Sequence, residues 1–478
     1  MMFNDLRELI NKAREIGEYE LVEGADWNEE IGAIGDLKSQ LPESPLLVFD
    51  NIKGYPAGYR VATNLATTPR RIALIFGLPE ESRGIELVRA FKDRIKQELS
   101  PIPPVEVATG PVQENVLVGD DIDLYKFPTP KWHELDGGRY IGTGCAVVSR
   151  DPDTGGINLG TYRAQVQDKA TTTMALSQGH HGNIIARKYW AKGQACPMAL
   201  CCGEAPIVYA AASFDIPWGL SEYDWAGGWQ GKPIEVISGP ATGLPIPATA
   251  EIVLEGELVP PEVETRSEGP FGEWEGYYAG GVRQLPAFRV KTLLHRNNPI
   301  ILGSPPSILP RVWTLGRHIQ KAAALWDELD RQLPGVKGVS IIEEATIRKI
   351  VVISLQQLYG GHAKQAAMLA AGVLATAYAL KYVIVVDDDI DPTNISEVLW
   401  ALGTRSEPEE IETIRGCWGN ISNPLLTPQQ HKMDDREHSL GIILACKPYK
   451  YMKEFPPSIK TSPELAAKVR KKWPELFK

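Results

Sequence analysis

Two glutamates five positions apart are the residues of this 478-residue chain best suited to proton transfer. They are Glu268 and Glu273, separated by Gly-Pro-Phe-Gly. Because glycine and proline interrupt helices, the segment is predicted to be a tight loop. Such a loop can simply expose both acids to solvent. It can also hold a proton-handling pair whose pKa values are separated by their surroundings, with Arg163 keeping one member ionised.

Three more polar positions, spread in order along the chain, have side chains suited to a divalent cation. Asn158 opens Asn-Leu-Gly-Thr-Tyr-Arg163, His180 and His181 precede a helical pattern, and Glu222 precedes another. Each alone is equally well explained as a turn, a surface histidine or a solvated acid. An amide oxygen, an imidazole and a carboxylate without thiolate suit Mn²⁺ or Mg²⁺ better than structural zinc. Because such ions often share their shell with a ligand phosphate, the set predicts a phosphate-bearing cofactor.

The last third of the chain contains two further segments of chemical interest. Gly360-Gly-His-Ala-Lys364 combines glycines, a predicted helix N-terminus and a lysine, which is typical of phosphate binding although it is not a Walker sequence. The acidic segment 385–391 suggests a metal site. Acidic loops after parallel strands are common, however, so we interpret that segment as structural.

The two ends of the chain alternate helical and strand patterns. Residues 1–114 and 306–446 are each predicted to form an α/β layer. Residues 447–478 form a tail whose Lys-rich helix, Pro463–Lys472, is of a kind often used for subunit contacts. The other predicted elements are helices at 4–16, 85–97, 314–332, 362–378 and 394–402, and strands at 45–49, 348–354 and 382–386.

Residues 115–305 have a different pattern, with short apolar runs separated by Gly and Pro. This pattern predicts a mostly β domain, barrel-like or open, with one helix near 183–192. The fold class is therefore α/β, in the broader sense of an α+β multidomain protein. The runs on which this prediction depends are 144–149, 207–212, 250–254 and 288–294.

The net charge, the cysteines and the apolar segments of the chain exclude several classes of protein. A formal net charge of −10 argues against a nucleic-acid binder. The six cysteines form no CxxC pair and are expected to be buried in a reducing cytosol. The first helix is charged and amphipathic, unlike a signal peptide. The apolar stretch 366–386 is better explained as a helix leading into a buried strand than as a membrane span. We therefore expect a cytoplasmic protein with no membrane span.

Six sequence blocks, in the same order, resemble the UbiD family of decarboxylases that use prenylated FMN. The resemblance covers nearly the whole chain and implies a central split β-barrel that binds the flavin. An ordered set is far more specific than any one block. The blocks are NLGTYR (158–163), GHHGNIIARKYWAKG (179–193), LSEYDWAGGWQGKPIEV (220–236), PATAEIVLEGEL with EGPFGEWEGYY (247–258, 268–278), YGGHAK (359–364) and KYVIVVDDDID (381–391).

The resemblance assigns cofactors to the candidate residues. It implies that Asn158, His181 and Glu222 hold Mn²⁺ or Mg²⁺, which bridges to the cofactor phosphate, with His180 as the neighbouring alternative. It also implies a K⁺ ion held by backbone carbonyls around residues 211–214. Further contacts to prenylated FMN are expected from side chains in the same blocks, namely Thr161, Tyr162, Arg163, His180 and Lys364.

The chemistry of decarboxylation explains why a cofactor is needed. Losing CO₂ from an sp² carbon leaves a carbanion, and amino-acid side chains offer no electron sink for it. The resemblance implies that Arg163, Glu268 and Glu273 lie at the reactive edge of the flavin. Arg163 would bind the departing carboxylate, Glu273 would act as general acid, and Glu268 would pair with Arg163. Some family members carry Asp at the position of Glu273.

The substrate is predicted from the expected pocket wall. The wall should include residues after Glu273 and the segment 304–313, with Leu309, Trp313 and Trp274 as candidates. No additional arginine in the sequence claims a second carboxylate there. This favours a small aromatic mono-acid, such as a hydroxybenzoate or a heteroaromatic acid. The expected partners are CO₂, a flavin prenyltransferase that supplies the cofactor, and further copies of the chain in a dimer or hexamer.

Three other functions are compatible with parts of the pattern. The same site can work as a carboxylase on a phenol or heteroarene, because the chemistry is reversible. A flavin-dependent oxidoreductase is a second alternative. The glutamate pair and the lack of a nicotinamide-binding fingerprint such as GxGxxG argue against it. A non-catalytic subunit is a third, but it would be expected to have lost Arg163 or Glu273.

Overall fold

The computed structural model describes residues 2–97, 100–308, 316–346, 348–433, 435–459 and 461–477. In these ranges the chain forms 13 α-helices. They are α1 (Leu6–Glu15), α2 (Glu30–Ser39), α3 (Pro69–Ile75), α4 (Gly84–Ile95), α5 (His181–Trp190), α6 (Pro206–Ser213), α7 (Glu222–Gln230), α8 (Arg317–Gln332), α9 (His362–Gly372), α10 (Leu374–Ala377), α11 (Ile395–Arg405), α12 (Pro428–Met433) and α13 (Pro463–Lys472).

The strands of the same residues form four sheets. The strands are β1 (Tyr19–Glu23), β2 (Leu46–Asp50), β3 (Arg60–Thr63), β4 (Val105–Glu106), β5 (Asn115–Val118), β6 (Cys145–Arg150), β7 (Ile157–Gly160), β8 (Thr171–Thr173), β9 (Cys196–Cys202), β10 (Glu235–Ser238), β11 (Pro245–Pro247), β12 (Ile252–Leu258), β13 (Thr265–Glu268), β14 (Arg283–His295), β15 (Ile300–Leu302), β16 (Val336–Ile341), β17 (Ile350–Leu355), β18 (Tyr382–Asp387), β19 (Glu412–Cys417) and β20 (His438–Ala445).

The N-terminal layer is a four-stranded sheet in the order β1-β2-β3-β15. Its last strand, β15, comes from far along the chain and pairs in parallel with β3. Helix α1 begins after Asp5, whose carboxylate accepts a hydrogen bond from the N–H of Glu8. The apolar face of α1 is buried because Leu6, Leu9 and Ala13 recur at helical spacing. The return of β15 ties the N-terminal layer to the central domain.

The central domain is built on an eight-stranded antiparallel sheet. Its main order is β13-β14-β12-β9-β6-β7, and β5 and β8 also pair with β14. Strand β14 spans 13 residues, long enough to pair with four different strands. The order is an open path, so the described strands do not close a barrel. Of the two predicted forms, barrel-like or open, the open one is found.

One predicted element in this domain was wrong. The apolar run 207–212 was expected to be a strand, and it forms most of helix α6. Seven of the eight residues of α6 are buried. A short, fully buried apolar run has the same sequence pattern in a helix and in a strand, so periodicity does not separate the two. Pro206 at the first helical turn was the one available local signal.

The C-terminal domain confirms the second predicted α/β layer. Its sheet has the order β16-β17-β18-β20-β19, with parallel pairing from β17 through β20. The stretch 366–386 forms the end of α9, the short helix α10 and most of β18, as the helix-and-strand interpretation predicted. In the described part of the chain no helix is long and apolar enough to cross a membrane.

The tail and the cysteines complete the fold. Helix α13 has the predicted limits and no buried residue. Five of the six cysteines are buried and Cys417 is half-buried, which agrees with their interpretation as core residues. None of the six is in a disulfide.

Candidate active site

A loop joins the two glutamates, as predicted. Glu268 is the last residue of β13, and the chain then turns at Gly269, whose φ of +92° suits glycine. Glu273 lies at the start of a second turn, where its N–H donates to the carbonyl of Tyr277 at 2.9 Å and its carbonyl accepts from Gly276 at 2.8 Å. The backbone around Glu273 is therefore held by its own hydrogen bonds.

Arg163 bridges the two glutamates. Its Nε and Nη2 donate to the two carboxylate oxygens of Glu268 at 2.6 and 2.9 Å, a bidentate pair. Its Nη1 donates to Oε1 of Glu273 at 2.8 Å. Glu268 is fully buried, whereas 13% of the Glu273 side chain is exposed. The sequence predicted these three residues as a group, and the structure brings them into direct contact.

The electrostatics of this network keep the arginine charged. Burial by itself would lower the pKa of Arg163, but the carboxylates of Glu273 and Glu268 outweigh it and raise that pKa. The guanidinium lies 4.9 Å from the ring centroid of Phe271, which is also buried. Burial and the charge of Glu268 raise the pKa of the nearby Tyr140 phenol, so this phenol stays protonated. One wall of the network is therefore aromatic and uncharged.

A second arginine, which the sequence analysis did not single out, also holds Glu273. Nη2 of Arg283 donates to Oε1 of Glu273 at 3.0 Å, the same oxygen that Arg163 contacts. Arg283 lies directly across from Glu268 in the antiparallel register of β13 and β14. Both of these hydrogen bonds go to Oε1, and no hydrogen bond of the described residues involves the other oxygen of Glu273, Oε2. Only the strand pairing reveals this arginine, because nothing local marks it.

Asn158 and Glu222 form the centre of a second polar site. Asn158 lies on β7 and donates through Nδ2 to Oε1 of Glu222 at 3.0 Å, while the N–H of Leu159 donates to Oε2 at 2.6 Å. Oδ1 of Asn158 is buried and accepts no hydrogen bond in the described structure. Burial raises the pKa of Glu222 to about 7, although the hydrogen bond from Leu159 opposes it. A buried oxygen without a donor and a carboxylate shielded from water together fit a divalent cation.

The two histidines lie at the start of α5. Both α5 and α7 pack against β7, so His181, Glu222 and Asn158 lie on three elements that meet at one strand. Burial lowers the pKa of His181, which favours the neutral imidazole that a metal requires. Its ring stands edge-on to Trp218 at 4.8 Å, and no hydrogen bond of the described residues joins it to Asn158 or Glu222. His180, the alternative ligand, is exposed at the N-cap position.

Tyr162 fastens β7 to α5. Its buried hydroxyl accepts from the N–H of Gly182 at 3.0 Å. A Cβ at Gly182 would lie 2.6 Å from that hydroxyl, and one at Gly160 would lie 2.4 Å from it. Glycine is therefore required at both positions by the close approach of the tyrosine. The predicted role of Tyr162 as a direct cofactor contact stays a prediction, since the structure shows its hydroxyl engaged with the backbone.

Basic side chains of the C-terminal domain face this polar site. Nη2 of Arg317, at the start of α8, donates to Oγ1 of Thr161 at 3.2 Å. Lys321, one turn later, forms an ion pair with Asp215 of the central domain. Burial and the charge of Arg348 lower the pKa of Arg317 to about 10 and that of Lys321 to about 8. Such crowding of positive charge favours an anion such as phosphate.

Lys364, the predicted phosphate ligand of this domain, is placed differently. Its ammonium forms an ion pair with Glu412 of β19. Arg317 and Lys321 were missed because the sequence shows them only as polar positions of an amphipathic helix. Two predicted wall residues, Leu309 and Trp313, lie outside the described residues.

Three family profiles match consecutive parts of the chain. They describe the N-terminal, Rift-related and C-terminal domains of 3-octaprenyl-4-hydroxybenzoate carboxy-lyase, or UbiD, and match residues 10–91, 104–308 and 315–439. This chain belongs to the UbiD family of carboxy-lyases. The family predicted from the six sequence blocks is thus confirmed, and with it the enzyme class.

Characterised relatives of this UbiD-family protein act on aromatic acids. It is 34% identical over 431 residues to a phenolic acid decarboxylase of Bacillus subtilis, covering 87% of each chain. It is 35% identical over 425 residues to a pyrrole-2-carboxylic acid decarboxylase of Pseudomonas aeruginosa, covering 84% of this chain and 83% of the other.

Solved structures share the whole fold. The vanillic acid decarboxylase of Sedimentibacter hydroxybenzoicus in closed form is 29% identical, with a TM-score of 0.83 and full coverage of both chains, and an open form is also known. The UbiD-class enzyme HmfF of Pelotomaculum thermopropionicum in complex with FMN is 27% identical, with a TM-score of 0.84 over 97% of this chain and 98% of the other. An evolved dimeric form of HmfF was solved in complex with prenylated FMN.

Proposed function

We propose that this UbiD-family protein catalyses the reversible, non-oxidative decarboxylation of an aromatic or heteroaromatic acid with prenylated FMN. The observation that carries the proposal is the contact of Arg163 with both Glu268 and Glu273, in a network with Arg283. The names of the relatives, which include phenolic, pyrrole-2-carboxylic and vanillic acid decarboxylases, support this class of substrate.

The cofactor supplies the electron sink that side chains lack. We assign the divalent cation, Mn²⁺ or Mg²⁺, to Asn158, His181 and Glu222. The orphaned Oδ1 of Asn158 and the raised pKa of Glu222 support this set. The cation, together with Thr161 and the facing Arg317, would hold the phosphate. The proposed K⁺ site uses backbone carbonyls around residues 211–214, and Lys364 stays a candidate phosphate contact that would have to leave Glu412.

The protein's own residues orient the acid and move one proton. Arg163 binds the substrate carboxylate at the edge of its guanidinium and stays charged throughout. When the bond between the ring carbon and the carboxyl breaks, CO₂ leaves and the ring carbon keeps the electron pair. Glu273, protonated on Oε2, gives its proton to that carbon and becomes a carboxylate, which solvent then reprotonates. Glu268 keeps Arg163 in place through two hydrogen bonds.

Replacing the proton donor tests the proposal most directly. Glu273→Gln keeps the shape and the hydrogen bond to Arg163 but removes the proton, so kcat should fall by about 10²–10⁴-fold. The holoenzyme is prepared by co-expression with a flavin prenyltransferase, and CO₂ release is measured over a panel of aromatic and heteroaromatic acids. Flavin content, read by absorbance and mass, should match the wild type.

Two outcomes would reject the proposed function. One is a wild-type holoenzyme that carries prenylated FMN and releases no CO₂ from any acid of the panel. The other is undiminished turnover in Glu273→Gln. Glu264→Gln is the matched control, because Glu264 forms ion pairs with Arg266 and Arg289 on the same domain and touches none of the site residues.

The physiological direction follows from the same assay. Since the reaction is reversible, a carboxylase would incorporate labelled bicarbonate into a phenol or heteroarene faster than it releases CO₂ from the acid.

The oxidoreductase and non-catalytic alternatives have less support. The catalytic glutamates and Arg163 are all present in one connected network, and the family is one of carboxy-lyases.

We also propose that α13 joins copies of the chain into a homo-oligomer, a dimer or a hexamer. Leu465 and Val469 lie four residues apart on this helix and Trp473 follows it directly as the C-cap residue, and 50%, 36% and 53% of their surfaces are exposed. Light scattering of the full chain and of Leu465→Glu tests this assignment.

Fractionation of expressing cells tests the expected cytoplasmic location.

A further inference from the structure

The turn that carries Glu273 lies between the central domain and the C-terminal domain and contacts both. The hydrogen bonds of Glu273 with Gly276 and Tyr277 close this turn, and Trp274 and Glu275 lie at its tip. The side chain of Glu273 points to Arg163 of the central domain. The next two side chains contact the C-terminal domain. A turn closed by two backbone hydrogen bonds therefore connects the position of the proposed proton donor with the position of a neighbouring domain.

Glu275 makes the polar part of this connection. Its Oε1 accepts from Nζ of Lys349 at 3.2 Å and from Nδ2 of Asn420 at 2.6 Å. The side chains of Glu275 and Lys349 are 3% and 12% exposed, so the ion pair is largely shielded from water. Breaking a buried pair from one side is costly because the remaining charge loses its partner. Asn420 is held in turn by Ser422, to whose hydroxyl its Nδ2 also donates at 2.6 Å.

Trp274 forms the aromatic part of the connection between the turn and the C-terminal domain. The ammonium of Lys349 lies 4.6 Å from its ring centroid, and the guanidinium of Arg348 lies 5.2 Å from it. Arg348 also lies 5.0 Å from the ring of Tyr378. These cation–π contacts add to the ion pair of Glu275, because Lys349 takes part in both. The whole tip of the turn is thus fixed by residues of the C-terminal domain.

We infer that Glu275 is a positioning residue for the proton donor. By tying the turn to Lys349 and Asn420, it sets Oε2 of Glu273 at the carbon that loses CO₂ only while the C-terminal domain is docked. Glu273 itself contacts none of the C-terminal residues that hold the turn. Glu275 touches neither substrate nor flavin in this scheme, and it acts only through the backbone of residues 273–277. The inference rests on the proposed function, since it requires Glu273 to be the acid.

The test removes the connection and follows the proton-transfer step by itself. In the holoenzyme Glu275→Ala should lower kcat by about 10–100-fold, because a displacement of about 1 Å of a catalytic group costs that much, while KM changes little. The decarboxylated product is then incubated in D₂O without CO₂, and deuterium entry at the ring carbon reports protonation alone. That rate should fall in proportion to kcat. Flavin content should be unchanged, and hydrogen exchange should increase in residues 270–282.

Lys349→Met and the double variant separate positioning from general damage. If both residues act through one contact, the double variant should be no slower than Glu275→Ala. Glu275→Gln, which keeps the acceptor for Asn420 but not the charge for Lys349, should lie between Glu275→Ala and the wild type. Lys349→Met also serves where Glu275→Ala does not fold. Glu264→Gln is again the control expected to behave as the wild type.

Three results would overturn the inference. They are an unchanged kcat in Glu275→Ala, a fall in kcat with normal deuterium entry, and additive losses in the double variant. The failure of the proposed function looks different. If Glu273→Gln keeps its turnover, the proposed function fails. If Glu273→Gln is inactive while Glu275→Ala works normally, only the positioning role fails.

Discussion

The acid side and the metal side of this site differ in how their charges are balanced. On the acid side, Glu268 and Glu273 face the guanidiniums of Arg163 and Arg283. On the metal side, Glu222 is held only by an amide and a backbone N–H, and Asn158 keeps an oxygen with no donor among the described residues. The protein therefore balances the acid side with its own charges, whereas no arginine or lysine of the described residues balances Glu222, as expected if the proposed cation binds there.

A third buried carboxylate supports this difference. Glu204 is fully buried and forms no ion pair with the described residues. Burial raises its pKa to about 8, much as burial raises that of Glu222 to about 7. At both Glu204 and Glu222, burial therefore favours the protonated carboxyl. At Glu222 a divalent ion would reverse that tendency, and at Glu268 the bidentate guanidinium supplies the compensating charge.

The largest expected effect comes from removing the charge that balances the acid side. Arg163→Met leaves Glu268 buried without its partner, which should lower the free energy of unfolding by about 3–5 kcal/mol. Turnover should be lost as well, since nothing then holds Glu273 or the substrate carboxylate. Thermal unfolding of the apoprotein measures the first effect and CO₂ release the second. Arg163→Lys should recover part of the stability and little activity, because an ammonium cannot make the bidentate contact. If the Arg163→Met variant were stable and active, the charges of the acid side would not depend on Arg163 for their compensation.

The metal side should instead show a pH-dependent affinity. Glu222 must lose its proton before it can bind Mn²⁺, and its pKa is about 7. Above this pH the carboxylate is already ionised and the affinity is constant. Below it, the affinity should weaken by about tenfold for each pH unit. Calorimetric titration of the apoprotein with MnCl₂ between pH 5.5 and 8.5 measures this slope.

Variants assign that slope to the proposed ligands. Glu222→Gln should bind Mn²⁺ weakly and without this pH dependence, and His181→Ala should lose both metal and flavin. If His181→Ala keeps both while His180→Ala loses them, the alternative histidine is the ligand. A slope that survives in Glu222→Gln would contradict the assignment of Glu222.

The smallest effect is expected from the hydrogen bond that joins strand β7 to helix α5 on the metal side. Tyr162→Phe removes only the acceptor of the hydrogen bond from Gly182. This should cost about 1 kcal/mol of stability, or somewhat more because the N–H is left buried. Flavin affinity should fall slightly, and kcat of the loaded enzyme should stay close to the wild-type value. A thermal shift assay with and without flavin gives both numbers. A large loss of kcat would show that the hydroxyl acts on the cofactor directly.

The amino-acid sequence alone was sufficient for the family, the order of the chemical groups, and those helices and strands that have a clear local pattern. Residue types and local spacing carry that information, since a cap such as Asp5 or an apolar stripe such as that of α1 is encoded within a few residues. Helix α6, which is almost fully buried, was predicted wrongly because its pattern is shared by helix and strand.

Tertiary structure decided which charges meet. Arg163 and Glu273 are 110 positions apart, Glu275 and Asn420 are 145 apart, and Arg317 and Thr161 are 156 apart. Arg283 reaches Glu273 because strand pairing places it opposite Glu268. Glu275 reaches Lys349 because two domains dock. Such contacts depend on strand register and domain packing, which no local pattern of residues specifies. The sequence therefore determined the two sides of the site, and the folded chain determined that one is balanced by its own arginines while the other has no such partner among the described residues.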